Sequence, residues 1–315
     1  MAKKVAMIGA GAIGRAYAIC FSRGGYEVSV FDPIEGAAEA SIPRMRETAE
    51  DLEAEDFLNG HSADAVMSRI SIAHTTEAAV DGAVHVQENA PEKLELKKKI
   101  FAELDSLCPP EVVLASSTST IVASLWSDGL PGKHRCMVAH PTNPPYAVRL
   151  IEIVPAPWTD TKLVAATRTL FEEIGLVPIT LKKEILGFIM NRFQAPILHE
   201  AYRLVAAGVA TPGDVDLAMS EGISQRWSFI GPFEQRDINH DKGIRESSIR
   251  GEPMNRAIAE TQRDLVPWDG PLVDYIEEER RKVLPMDQLQ DRMRWRDKRL
   301  VALAKHKKWA DENIK

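Results

Sequence analysis

A histidine and a carboxylate stand where chemistry could begin. His140 closes the apolar run Cys136-Met137-Val138-Ala139, and Glu152 interrupts Leu150-Ile151-Glu152-Ile153-Val154 twelve residues later. Oxidation of a secondary alcohol needs a group that takes the hydroxyl proton as hydride leaves, and imidazole titrates in the useful range. A carboxylate with Ile on both sides is costly to bury unless it is paired. If the two strands are neighbours, Glu152 can hold the His140 ring in one tautomer and stabilise its charged form. The prolines and Asn143 of Pro141-Thr142-Asn143-Pro144-Pro145 predict an extended path for the loop that follows. Alone, each residue has an ordinary reading: a satisfied structural histidine, and a strand acid turned to solvent. They gain a reaction only if a hydride acceptor binds nearby.

The first 32 residues predict a binding site for such an acceptor. The apolar run Val5-Ala6-Met7-Ile8 breaks into Gly9-Ala10-Gly11-Ala12-Ile13-Gly14, and a second apolar run ends on Asp32. Strand, glycine turn, helix, strand, acid is the order of a dinucleotide-binding unit. Gly9 permits a tight turn, Gly11 lets backbone approach a pyrophosphate, and Gly14 lets the helix lie close to the sheet. The backbone of Ala12 and Ile13 opens that helix, whose amino end carries roughly +0.5 charge toward the phosphates. Asp32, 18 residues past Gly14, is placed to accept hydrogen bonds from a ribose. Pro33 and Ile34 follow it, with no Arg to neutralise a 2′-phosphate, so NAD is expected rather than NADP.

The elements that must position these residues are readable from periodicity. Strand-like runs recur at 69–74, 84–88, 112–117, 135–140, 149–154 and 177–182, with helical patterns at 35–58, 91–107 and 160–174. Thr159 and Asp160 are capping candidates for the last of these. Alternating strand and helix predicts a Rossmann-type, doubly wound α/β fold with a mostly parallel sheet. From Gly187 onward the pattern is helix after helix, so an NAD-binding domain is expected over 1–185 and a helical domain over 186–315. The chain has 315 residues and a net charge of -7, which argues against nucleic acid or an anionic membrane as partner. Its three cysteines are scattered, without metal-ligand or disulfide spacing, so no metal and a reduced, cytoplasmic setting are expected. No leader-like pattern and no run of membrane-spanning length stands out.

Read end to end, the sequence resembles the 3-hydroxyacyl-CoA dehydrogenase superfamily, and within it the lambda-crystallin and L-gulonate 3-dehydrogenase branch. The carrying motifs are Gly9 to Gly14, Ala115-Ser116-Ser117-Thr118-Ser119, His140-Pro141-Thr142-Asn143-Pro144, Leu150-Ile151-Glu152, Gly187-Phe188-Ile189-Met190-Asn191-Arg192 and Arg226-Trp227-Ser228-Phe229-Ile230-Gly231-Pro232. The resemblance implies an all-α C-terminal domain of the 6-phosphogluconate dehydrogenase C-terminal type and a homodimer. It implies His140 as catalytic base and Glu152 as the acid that orients it. Ser119 would lie near the substrate hydroxyl, and Asn191 would polarise the reacting oxygen. Asn143, Glu92 and Lys97 match cofactor-side positions. Without the resemblance, Ser119 reads as a helix cap, and Asn191 and Lys97 as helix-surface residues.

Two departures from the fatty-acyl branch bear on substrate. That branch carries a basic hairpin for the phosphates of coenzyme A; here residues 44–58 hold Glu47, Glu50, Asp51, Glu53, Glu55 and Asp56 against Arg44 and Arg46. Such a segment should repel a polyphosphate, although an acidic solvated helix can also say nothing about substrate. Arg226, in Gly222-Ile223-Ser224-Gln225-Arg226-Trp227, looks like a fork for a small carboxylate, or it stacks on Trp227 or pairs with a structural acid. The expected reaction is reversible, NAD-dependent oxidation of the 3-hydroxyl of a small hydroxy acid, with L-gulonate leading. L-carnitine, for which Trp227, Phe229 and Tyr146 could form an aromatic cage, a short 3-hydroxyacyl-CoA, and a crystallin-like NAD-binding structural role remain as alternatives.

Overall fold

A computed structural model describes residues 3–314. Its frame is one eight-stranded sheet in the order β3-β2-β1-β4-β5-β6-β7-β8. The strands are β1 (Lys4–Ile8), β2 (Glu27–Phe31), β3 (Ile70–Ile72), β4 (Ala83–Glu88), β5 (Val113–Ser116), β6 (Cys136–Pro141), β7 (Leu150–Pro155) and β8 (Val177–Thr180). All neighbours run parallel except β6 and β7. This is the expected doubly wound, mostly parallel sheet. The strand runs read from the sequence each fall on one of these strands.

Both faces are covered, which is why the strands read as continuous apolar runs rather than alternating ones. Val5 and Met7 of β1 enter one core cluster, and Ala6 and Ile8 enter the other. The same split holds in β6, where Met137 and Ala139 face one side and Cys136 and Val138 the other. The helix Ala12–Arg23 packs on the first cluster through Tyr17, Phe21 and their neighbours. The helix Ala37–Ala54 buries Ala38, Ser41, Met45, Ala49 and Leu52, a single stripe at spacings of three and four. In front of the helix Thr161–Glu173, Asp160 caps through Lys162 N at 2.7 Å. Thr159 instead gives its hydroxyl to the Cys136 carbonyl at 2.7 Å.

The loop after β6 differs from expectation. It is a tight turn and not an extended path: Ala147 N and Val148 N both donate to the Pro144 carbonyl, and Thr142 N closes its base on the Leu150 carbonyl. The fixed φ of proline suits the start of a turn as well as an extended strand, and the antiparallel return into β7 selects the turn.

The chain divides into two compact units, Met1–Asn191 with Arg296–Lys315, and Arg192–Trp295. The sequence-based division assigned all of 186–315 to one helical domain. Here residues 187–191 and the stretch from Arg296 belong with the sheet. Phe188 is fully buried in the sheet-side core, and so is Val301 of the last helix, Leu289–Asn313. Tyr146 donates to Asp297 Oδ2 at 2.8 Å, Lys298 pairs with Asp51 at 3.4 Å, and Lys305 Nζ reaches the Glu55 carbonyl at 2.7 Å. In the second unit the helices include Gly243–Thr261 and Gly270–Val283, with no strand among the described residues. No helix among the described residues is long and apolar enough to cross a membrane.

Candidate active site

His140 and Glu152 are a directly opposed pair in the antiparallel β6/β7 ladder, so their side chains emerge on the same face. The His140 Nδ1 lies 2.8 Å from Glu152 Oε2. Glu152 is fully buried and His140 is 8 % exposed. A carboxylate only accepts, so the proton sits on Nδ1 and the Nε2 lone pair is left for a substrate hydroxyl. The other carboxylate oxygen, Oε1, accepts from Ile189 N at 2.7 Å and Met190 N at 3.1 Å, at the start of the helix Met190–Ala206. Burial is thereby compensated on both oxygens. Phe188, held at φ 50 after Gly187 at φ 76, lays its ring 5.4 Å from the imidazole. The two rings are tilted by 56° to each other, so Phe188 packs against His140 as an apolar neighbour.

The glycine turn fits a dinucleotide. Gly9 has φ 106, a conformation that L side chains rarely adopt. A Cβ on Gly14 would lie 1.9 Å from the Gly9 carbonyl oxygen, so only glycine lets the helix start this close. A Cβ on Gly11 would meet nothing within 4 Å, leaving its backbone open on the phosphate side. Gly11 and Ala12 are exposed and Ile13 is half-buried, at the amino end of the helix Ala12–Arg23. Asp32 Oδ2 accepts from Ala10 N at 2.8 Å and Oδ1 from Ile34 N at 3.0 Å. The carboxylate is therefore fixed, with lone pairs remaining for ribose hydroxyls.

Arg15 was not singled out by motif reading. It stands in the first turn of that helix, where a cation opposes the dipole, and its Nη1 donates to the Ala10 carbonyl at 3.0 Å. Burial, then the nearby charge of Arg44, lowers its pKa, a crowding of cations that a pyrophosphate would relieve. A basic residue directly after the third glycine was the available signal.

The cofactor-side pair Glu92 and Lys97 is not arranged as a helix surface. Lys97 is 1 % exposed, and its Nζ lies 2.8 and 3.0 Å from the two oxygens of Glu88 and 3.3 Å from Ser116 Oγ. Glu88 also accepts from Ala90 N at 2.7 Å and Ser116 Oγ at 2.5 Å. Lys97 thus ties the ends of β4 and β5 from below. Glu92 Oε1 gathers Thr118 Oγ1, Ser119 N, Thr120 N and Thr120 Oγ1 within 3.1 Å. Burial pushes the Glu92 carboxyl up, but these hydrogen bonds and Lys97 outweigh it and leave it below its usual range. Thr118, not Ser119, caps the turn through Ile121 N at 2.9 Å. Ser119 is exposed, and its carbonyl accepts from Asn191 Nδ2 at 2.9 Å. The structure thereby brings Glu92, Ser119 and Asn191 into one hydrogen-bonded group.

Asn143 is exposed on the loop after β6. Arg226 lies on the short helix Ser224–Trp227 of the second unit and is exposed. No cation–ring contact joins it to Trp227 among the described residues, so the stacking alternative has no support in the geometry. Tyr146 is buried with its hydroxyl on Asp297, which removes it from the set of cage aromatics. Among the described residues there is no cluster of three or more His, Cys, Asp or Glu side chains suited to a metal.

Comparison with known proteins gives a consistent result. The family model described as 3-hydroxyacyl-CoA dehydrogenase, NAD binding domain, matches residues 4–185, and its C-terminal domain counterpart matches 187–270. Lambda-crystallin of Oryctolagus cuniculus is 38 % identical over 307 residues, 96 % of either chain. L-carnitine dehydrogenase of Streptomyces coelicolor is 39 % identical over 231 residues, 73 % of this chain and 71 % of its own. Among solved structures, the 5-formyl-3-hydroxy-2-methylpyridine 4-carboxylic acid 5-dehydrogenase, an NAD-dependent dismutase, superposes with a TM-score of 0.77 at 26 % identity, covering 96 % and 97 % of the two chains.

Proposed function

This chain belongs to the 3-hydroxyacyl-CoA dehydrogenase family and is an NAD-dependent oxidoreductase of that type, and we propose that it reversibly oxidises the 3-hydroxyl of a small hydroxy acid, L-gulonate to 3-dehydro-L-gulonate. The observation that carries the chemistry is the His140–Glu152 couple at 2.8 Å on the adjacent strands β6 and β7 of the sheet whose β1 leads into the dinucleotide turn. NAD, when bound along Gly9 to Gly14 with its ribose on Asp32, supplies the hydride acceptor. His140 takes the hydroxyl proton at Nε2, and Glu152 stabilises the imidazolium that results. Ser119 and Asn191 orient the substrate oxygen, with Glu92 fixing the loop that carries Ser119. Arg226 is assigned to the substrate carboxylate because guanidinium forks suit planar anions.

Two features support a small acid over an acyl-CoA or a quaternary amine. The segment after Arg44 and Arg46 keeps its acidic run, with Arg46 itself paired to Asp64 at 2.7 Å. A polyphosphate tail would meet repulsion there. The similarity to L-carnitine dehydrogenase favours a second reading, but a cage built on Tyr146 is not available. A homodimer and a cytoplasmic setting complete the proposal, the latter supported by three buried, unpaired cysteines.

Purified protein with NAD, followed for reduced cofactor against L-gulonate, L-carnitine and 3-hydroxybutyryl-CoA in parallel, tests the reading. L-gulonate should give the highest kcat/KM. Preference for either rival, or no turnover with L-gulonate, would overturn the substrate assignment.

A further inference from the structure

A cavity away from the catalytic strands has the chemistry of an anion site. It holds about 720 Å³ and is lined by Arg23, Phe57, Arg149, Lys305, Lys308 and Trp309, with the acids Asp56 and Glu312 also in the lining. Neither the glycine turn, nor Asp32, nor His140 contributes to that lining. The volume is that of a small-metabolite pocket.

Arg23 is the informative residue. It is 4 % exposed, yet its Nη1 donates only to neutral groups, the carbonyls of Tyr146 at 3.1 Å and Phe57 at 3.3 Å. Its Nε has no hydrogen-bond partner among the described residues. The guanidinium carbon lies 5.4 Å from the Phe57 ring. A guanidinium cannot shed its proton in a protein, so burial against carbonyls and a ring leaves a charge without a counter-ion. Lys305, which is exposed, likewise donates to a neutral group, the Glu55 carbonyl at 2.7 Å. Four cations thus face two carboxylates around one cavity, and the most buried of them is under-satisfied.

We propose that this cavity binds a small dianion, a phosphate or a dicarboxylate, at a site distinct from the dinucleotide turn. Arg23 is the buried anchor, and Arg149 and Lys308 close on the anion from the outer wall. Guanidinium forks match phosphate and carboxylate geometry equally well, and Phe57 and Trp309 offer apolar walls to whatever carries the anion. The last helix supplies Lys305, Lys308 and Trp309, so occupancy would tighten its hold on the sheet unit.

The test uses full-length protein saturated with NAD, so that the phosphate-binding turn is already filled. Inorganic phosphate and succinate are titrated separately at constant ionic strength, by calorimetry and by tryptophan emission. At least one anion should bind saturably, with an emission change that is lost in Trp309→Phe. Affinity should weaken by about tenfold or more in the double variant Arg149→Ala/Lys308→Ala, in which neither replaced side chain is fully buried. Saturation by phosphate alone, by succinate alone, or by both distinguishes the source of the anion. Absence of saturable binding by either, binding unchanged in the double variant, or binding that competes with NAD would overturn the proposal.

Discussion

The two oxygens of Glu152 have separate tasks, Oε2 on the imidazole and Oε1 on two backbone N–H groups, and that division makes the residue hard to replace. Glu152→Gln keeps the size but must turn an NH2 toward either the ring or the helix amino end. Facing the ring, it forces Nδ1 to accept and puts the proton on Nε2, where a base needs a lone pair. Turnover should fall by roughly 10²- to 10⁴-fold, with NAD affinity nearly unchanged in a calorimetric titration. His140→Ala should cost about as much in kcat and likewise leave the cofactor dissociation constant within about twofold. Lost cofactor affinity in either variant would contradict the assigned roles. This couple was legible in sequence because an acid between two isoleucines demands a partner. Lys97 was not, since lysine in a polar helix reads as surface. Its register with Phe101 and Leu104, the buried stripe of Leu94–Leu107, was the signal that could have found it.

At the level of strands, β4, β5 and β6 are joined by a buried polar chain as well as by their ladders. His85 Nε2 meets Gln87 Oε1 at 3.0 Å, and Gln87 Nε2 donates to Ser117 Oγ at 2.7 Å and the Ala139 carbonyl at 3.2 Å. Ser117 Oγ in turn donates to Asn89 Oδ1 at 2.7 Å, beside the turn at Gly9 and Gly14. Burial among Phe21 and Phe171 pushes the His85 pKa down to about 4 from 6.5. Because the folded value is depressed, the unfolded chain binds the extra proton between those limits, and stability is lost as pH falls from 6.5 toward 4. The loss approaches about 3 kcal/mol for a fully buried ring. Urea unfolding across that window should show the decline, and His85→Phe should flatten it; an unchanged slope in the variant would rule out this cause. Strand positions were legible because both sheet faces are covered and the runs are unbroken. The turn at 142–148 was not, because proline fixes φ without choosing between a turn and an extended path, and the choice is made by β7 returning beside β6.

At the scale of the molecule, the helical unit lacks a core of its own. Among residues 192–295 only Val205, Pro212 and Ser247 are buried, whereas Phe229, Phe233, Ile249 and Leu265 are each at least 70 % exposed. The sequence made the helices legible through their apolar spacing, but periodicity says only that a face wants covering and not what covers it. A region of this length with almost nothing buried does not repay its ordering entropy, and exposed apolar surface on this scale marks an association face. We propose that a second copy of the chain covers these faces, since it would bring the same apolar helices in self-complementary form, the usual route to a two-fold dimer. An obligate contact of this kind buries on the order of 2,000 Å² or more. Sedimentation equilibrium should therefore give twice the chain mass, and Phe233→Asp with Ile249→Asp should lower it toward the monomer while reducing thermal stability, since the covering partner is lost. A monomer in the unaltered protein at micromolar concentration would show that these faces are covered in some other way.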